Sequence, residues 1–119
     1  MGFGVVGSGT VELFYKNKAL LEAKCGHEMD IKYILDLRDF PESPFKDKLT
    51  KNFEDILNDP EIKVVCELMG GKTFAYDYTK RLLEKGISVV TSNKELVAAY
   101  GDELIAIAKA NGCNYFFEA

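Results

Sequence analysis

Apolar positions along the chain fall into two kinds of segment, and the two kinds alternate. From Thr10 to Lys24, Val11, Phe14 and Leu21 recur at helical spacing, with Leu13 and Leu20 beside them. Cys25-Gly26-His27 closes that segment, and Gly26 suits a C-terminal cap. Ile31 to Leu37 is short and rich in branched and aromatic residues, which predicts a strand. Arg38 to Lys51 holds Pro41, Pro44 and many charges and predicts a loop. A short helix is expected over Phe53 to Leu57, stopped by Asn58-Asp59-Pro60. Ile62 to Met69 is nearly all apolar at Val64, Val65, Cys66 and Leu68, and reads as a strand covered on both faces. A helix follows from Phe74 to Lys85, then a strand from Ile87 to Thr91. A long helix from Asn93 to Ala110 follows, with a break expected at Tyr100-Gly101. A final strand runs from Tyr115 to Glu118.

Strands alternating with helices at this spacing predict βαβ units, hence an α/β three-layer domain with a mainly parallel sheet. One domain over residues 1–119 is expected, with no internal boundary, repeat or low-complexity segment. A glycine-dense opening, Met1 to Gly9, stands before the first helix, so the strand that should feed it is missing. The chain also stops on a strand. Both ends read as cut.

Composition narrows the function classes. The net charge is −4, which argues against nucleic-acid or anionic-membrane partners attracted by bulk charge. No apolar run is long enough to span a bilayer. Three widely spaced cysteines and one histidine make neither a disulfide framework nor a zinc site, so a reduced, cytoplasmic chain is expected. Cys66 and Cys113 read as buried packing residues, and His27 as a surface or capping residue.

The chemistry lies at the glycines and at the strand ends. Gly2-Phe3-Gly4-Val5-Val6-Gly7 fits G-x-G-x-x-G. In that motif the first glycine allows the tight turn and the second lets the backbone approach a pyrophosphate. The third lets the helix pack closely, and free amides at the helix start bind phosphate. The bland alternative is a glycine-rich tail. Asp36-Leu37-Arg38-Asp39 stands at the end of the next strand, where a dinucleotide fold reads the ribose. A carboxylate there favours NAD and an arginine favours NADP, and both types are present. Glu67-Leu68-Met69-Gly70-Gly71 ends the following strand, where glycines let a backbone lie against a nicotinamide ribose. Gly71 serves a tight turn equally well. Thr91-Ser92-Asn93-Lys94 ends the next. Ser92 or Asn93 can cap a helix. Lys94 would meet an unfavourable dipole in a first helical turn, so an ammonium aimed at a carbonyl is the functional alternative to a solvated lysine. Tyr76, Tyr78 and Tyr100 read as packing or surface residues.

These stretches together resemble homoserine dehydrogenases. The resemblance is carried by Gly2 to Val11, Leu37-Arg38-Asp39, Asp59 to Gly71, Val89 to Ala98 and Tyr115 to Ala119, over nearly the whole chain. The E-L-M-G-G and V-V-T-S-N-K stretches are more specific than the glycines. The resemblance implies a Rossmann-type domain, first strand missing, from an enzyme that interconverts aspartate 4-semialdehyde and homoserine with NADPH or NADH. That enzyme serves threonine, methionine and isoleucine biosynthesis. It implies that Phe3, Val5 and Val6, with Gly4 and Gly7, contact the cofactor through the phosphate loop. It implies that Arg38 faces the adenosine ribose or its 2′-phosphate. Gly70, Ser92 and Asn93 are expected near the nicotinamide end, and Lys94 is expected to bind there and act near the reacting carbonyl. Glu118 matches a glutamate that helps hold a monovalent cation, usually sodium. The full-length enzyme is expected to take a small-molecule substrate and to form a homo-oligomer. The substrate domain lies outside this chain, so the fragment alone is expected to be inactive, its open sheet positions filled by a partner chain or its stability marginal. Three rivals remain open: another dehydrogenase acting on a different carbonyl, a non-catalytic NAD(H)-sensing domain, and a truncated product that binds nothing.

Overall fold

The computed structural model describes residues 1–117. The chain forms two compact units: Gly2–Lys51, and Met1 with the residues from Asn52 onward.

The larger unit holds a parallel three-stranded sheet. Its strands β3 (Val64–Glu67), β4 (Ser88–Thr91) and β5 (Tyr115–Phe117) lie in that order. Val65 pairs with Val89, and Val89 with Tyr115; Glu67 pairs with Thr91. The crossovers are helices α4 (Thr73–Glu84) and α5 (Lys94–Ala110). In α4, Ala75, Thr79, Leu82 and Leu83 are buried along one face of the helix. In α5 the buried positions are Leu96, Gly101, Leu104 and Ala108. The expected break at Tyr100-Gly101 does not occur. Leu96 and Leu104 are both fully buried on either side of it, and α5 packs along α4. That burial outweighs the roughly 1 kcal/mol a mid-helix glycine costs. Helix α3 (Phe53–Leu57) forms where the sequence predicts it. The Asn52 side chain accepts from the Glu54 amide at 3.1 Å, and Phe53 stacks on Tyr78 at 4.1 Å.

Alternation governs β3 and β4 and the first two residues of β5; Phe117, at the end of β5, is exposed like Phe116. Val65, Val89 and Tyr115 form a buried row, whereas Cys66, Val90 and Phe116 form an exposed one. Cys66 is therefore not a packing residue, contrary to the sequence expectation. It lies one residue from Val65 and so on the other face. Cover on both faces fails for this row, with Val64 and Phe116 more than half exposed. Cys113 is buried as expected, its thiol pushed up by burial. No strand precedes the glycines. Instead the Met1 main chain lies beside β3: its ammonium donates to the Cys66 carbonyl at 2.5 Å, and its carbonyl accepts from the Leu68 amide at 2.9 Å.

The smaller unit comprises α1 (Val5–Lys16), α2 (Lys18–Cys25), and a parallel pair of two-residue strands, β1 (Ile34–Leu35) and β2 (Leu49–Thr50). Its core gathers Phe3, Val11 and Ile34, flanked by Tyr15, Phe40, Phe45 and Leu49. The expected single helix begins five residues earlier, at Val5, and divides at Asn17. There the Asn17 side-chain amide donates to the Leu13 carbonyl at 3.0 Å, competing with the helical ladder. Gly26 ends α2 as expected. The segment expected as a loop, 38–51, carries a 3₁₀ turn at Lys46–Lys48 and strand β2. A two-residue strand has no periodicity of its own, so only its partner reveals it.

Leu82 is 0% exposed. Leu82→Ala should lower the unfolding free energy by about 2–5 kcal/mol, measured by urea denaturation. A change below 1 kcal/mol (roughly) would mean that the site collapses around the smaller side chain.

Candidate nucleotide and catalytic site

The candidate residues fall into two groups, one in each unit. In the smaller unit, Gly2 adopts φ +93°, a left-handed turn that suits glycine, and its amide donates to the Leu35 carbonyl at 2.8 Å. Gly4 caps α1. The first intrahelical bond runs from Ser8 N–H to the Gly4 carbonyl, leaving the amides of Val5, Val6 and Gly7 at the open N-terminus. Val5 and Val6 are 92% and 60% exposed, as ligand-facing residues would be. Gly7 is buried, and a Cβ there would lie 2.0 Å from the Gly2 carbonyl oxygen. The third glycine of the motif is thus required by a backbone-to-backbone approach. Phe3 differs from its neighbours. Its ring is in the core, and its amide donates to Asp36 Oδ2 at 2.9 Å, so that amide is already engaged.

Asp36 follows β1 and organises Arg38. Asp36 Oδ1 accepts from the Arg38 amide at 2.9 Å and from Nε at 3.1 Å, and Oδ2 accepts from Nη2 at 2.9 Å. The guanidinium holds the Asp36 carboxyl far below the usual carboxylate range; burial opposes this, and the Arg38 and Phe3 amides add to it. Arg38 itself is raised by Asp36. The carboxylate is nearly covered, whereas the arginine side chain is 64% exposed and lies 5.3 Å over the Phe40 ring. Asp36 is therefore the arginine's anchor, and Arg38 is the group presented to solvent. A cleft of about 480 Å3 is lined here by Arg38, Phe40, Pro41, Thr50, Lys46 and Lys51. Lys51 is paired with Asp39 at 2.7 Å.

In the larger unit, the ends of β3 and β4 are tied together. Glu67 is fully buried. Its Oε1 accepts from the Thr91 hydroxyl at 2.7 Å, and its Oε2 accepts from the Met69 amide at 2.9 Å. The Thr91 hydroxyl accepts from the Asn93 amide at 2.9 Å. The Asn93 side chain caps α5, accepting from Leu96 N–H at 3.0 Å, and donates to the Gly71 carbonyl at 2.6 Å. Gly70 and Ser92 are exposed at these two loops. Lys94 is the first residue of α5, exposed, with no ion pair among the described residues. Beside this network the Tyr115 phenol is pushed up to about 12, by burial first and by the Glu67 charge second. The sequence reading missed Glu67. Its signal was a lone carboxylate at the end of an apolar strand. The sequence reading finds no Tyr-x-x-x-Lys pair of the kind short-chain dehydrogenases use; Tyr76 and Lys80 have that spacing, but the Tyr76 hydroxyl donates to Glu103 at 2.6 Å and is pushed up to about 12. That is the wrong direction for a catalytic phenolate. Glu118 lies outside the described residues.

A family model for the NAD-binding domain of homoserine dehydrogenase matches residues 2–118. The chain belongs to the homoserine dehydrogenase family. It is 39% identical to the homoserine dehydrogenase of Bacillus subtilis, over all of this chain and 28% of that protein. The crystal structure of Staphylococcus aureus homoserine dehydrogenase superposes with a TM-score of 0.89 at 31% identity, over 99% of this chain and 31% of that one. A hyperthermophilic archaeal homoserine dehydrogenase solved in complex with NADPH matches at a TM-score of 0.77 and 26% identity, over 98% and 41%. The chain thus spans a little over a quarter of the length of the curated homoserine dehydrogenases it matches. The α/β architecture with parallel sheets is the Rossmann-like fold of these relatives.

Two outcomes follow from this geometry. Gly7→Ala should destabilise the smaller unit by about 1–3 kcal/mol through overpacking against the Gly2 carbonyl, read by thermal melting. For Asp36 the folded-state pKa is depressed, so its stabilisation is present above the unfolded value of about 3.9 and is lost as pH falls through the folded value. The stability gap between wild type and Asp36→Asn should be full near neutral pH (about 7) and shrink in strong acid, measured by urea denaturation across pH.

Proposed function

We propose that this chain binds a nicotinamide dinucleotide, NADP or NAD. The longer protein to which it would belong interconverts aspartate 4-semialdehyde and homoserine. The observation that carries the reading is the glycine turn feeding the open amides of Val5, Val6 and Gly7, a built anion site at a helix N-terminus. Family membership and the NADPH complex of the archaeal relative support it.

In this reading Phe3, Gly4, Val5, Val6 and Gly7 form the phosphate loop, Phe3 through its packing and its fixed backbone. Arg38 takes the adenosine ribose or its 2′-phosphate, with Asp36 holding the guanidinium in line. Gly70, Ser92 and Asn93 serve the nicotinamide end. The nicotinamide, when bound, supplies or accepts the hydride. Lys94 stabilises the developing alkoxide on the aldehyde oxygen and donates the proton that completes the alcohol; in the reverse direction it takes that proton back. An exposed ammonium at the first position of α5 is free to make that contact. Binding holds the two reactants in line, which supplies much of the acceleration.

The substrate pocket, a homo-oligomeric assembly and a cytoplasmic setting belong to the longer protein in this proposal. No helix among the described residues is long and apolar enough to cross a membrane. Sodium is proposed for the longer protein by resemblance at Glu118 alone. The described residues gather no cluster of three or more potential metal ligands, so no step is routed through the ion.

Titration of the chain with NADPH and NADH tests the reading. Saturable binding is expected. Arg38→Ala should weaken NADPH about tenfold or more, the worth of a lost charge-assisted contact, and NADH much less. Failure of a folded sample to bind either nucleotide would overturn the proposal.

A further inference from the structure

A buried carboxylate is an expensive group to keep in a strand, and Glu67 is fully covered. One of its oxygens accepts from the turn after β3 and the other from the end of β4. Oε2 takes the Met69 amide, in the turn that follows β3. Oε1 takes the hydroxyl of Thr91, the residue opposite it on β4. From Thr91 the bonds run on to the Asn93 amide. From the Asn93 side chain they return to the carbonyls of Gly71, at 2.6 Å, and Met69, at 3.4 Å. The chain of bonds closes on itself: Glu67, Met69, Asn93, Thr91, Glu67. It ties the Met69–Gly71 turn to the Thr91–Asn93 turn, and Asn93 also caps the helix that begins at Lys94.

Only a carboxylate completes this ring. Thr91 and Met69 both point a donor at position 67, and glutamine offers one acceptor and one donor group. With its oxygen toward Met69, glutamine leaves the Thr91 hydroxyl proton without an acceptor. With its oxygen toward Thr91, it sets an N–H against the Met69 N–H. Either arrangement leaves a donor without its acceptor, the Thr91 hydroxyl in a buried bond or the Met69 amide in a half-buried one.

We propose that Glu67 is a positioning residue for the nicotinamide end of the cofactor. It holds the Gly70-Gly71 and Ser92-Asn93 turns, and the start of α5 at Lys94, in one fixed arrangement before the dinucleotide arrives. This rests on the reading of the chain as a nicotinamide-nucleotide binder. Glu67 touches no ligand itself. It acts through Thr91 and Asn93, and the ordering of two loops is completed during folding rather than drawn from binding energy.

The test compares a coenzyme with the same molecule lacking its nicotinamide. Wild type, Glu67→Gln and Thr91→Val are titrated by calorimetry with NADPH and with 2′-phospho-ADP-ribose. NADH and ADP-ribose replace them if the chain prefers NADH. Thermal melts check folding. Both variants should weaken the coenzyme about tenfold and leave the nicotinamide-free nucleotide unchanged. Thr91→Ser, which keeps the hydroxyl, should restore wild-type binding. Thr91→Val reports on the ring even if Glu67→Gln fails to fold. Equal loss of both ligands, or loss of neither, would overturn the proposal and assign Glu67 to the scaffold alone. Wild type binding the two ligands equally would also overturn it, leaving the adenosine-end reading intact. Wild type binding neither would bring down the proposed function itself, and this inference with it.

Discussion

Parallel pairing makes every strand of a sheet run the same way, so all the C-terminal ends arrive at one edge. In the larger unit that constraint sets Glu67 directly opposite Thr91, and it puts the Met69–Gly71 and Ser92-Asn93 turns beside each other. The crossover helices follow from the same requirement, since a parallel neighbour cannot be reached by a tight turn. Burial of Leu82, Leu83, Leu96 and Leu104 holds the helices on the sheet and fixes the register that matters for the strand ends. Polar chemistry at those ends is then inexpensive to organise. One buried carboxylate, one hydroxyl and one amide side chain, with the main chain of Met69 and Asn93, make a closed ring, because the backbone has already delivered them to within hydrogen-bonding distance.

The smaller unit solves a different problem, how to bring a helix N-terminus close to a turn without filling the space between them. Gly7 does this by having no side chain, and the aromatic core of Phe3, Phe40, Phe45 and Tyr15 holds the turn in place. Asp36 joins the two functions of this unit. One carboxylate fixes the Phe3 amide in the glycine turn and the Arg38 guanidinium at the end of β1. The residue that could have read a ribose directly has instead become the support for an arginine.

The sequence by itself determined the α/β class and the glycine motif. It determined helix α3 residue for residue, and α4, β4 and α5 to within a residue or two at each end. These signals are local: an apolar period, a cap, a stop. Asn93 as the cap of α5 was legible for the same reason. The family was legible too, because its motifs are short and contiguous. The tertiary structure decided what depends on partners. β2 exists only because Leu49 and Thr50 pair with Ile34 and Leu35. α5 runs through Gly101 because its neighbours are buried against α4. Cys66 faces out because alternation, not composition, assigns a strand residue to its face. Asp36 as the anchor of Arg38, and Glu67 as the hub of a ring, could not be read from spacing. A carboxylate's role is set by the donors that surround it, and those donors come from residues 2 to 33 positions away along the chain. Only folding brings them together.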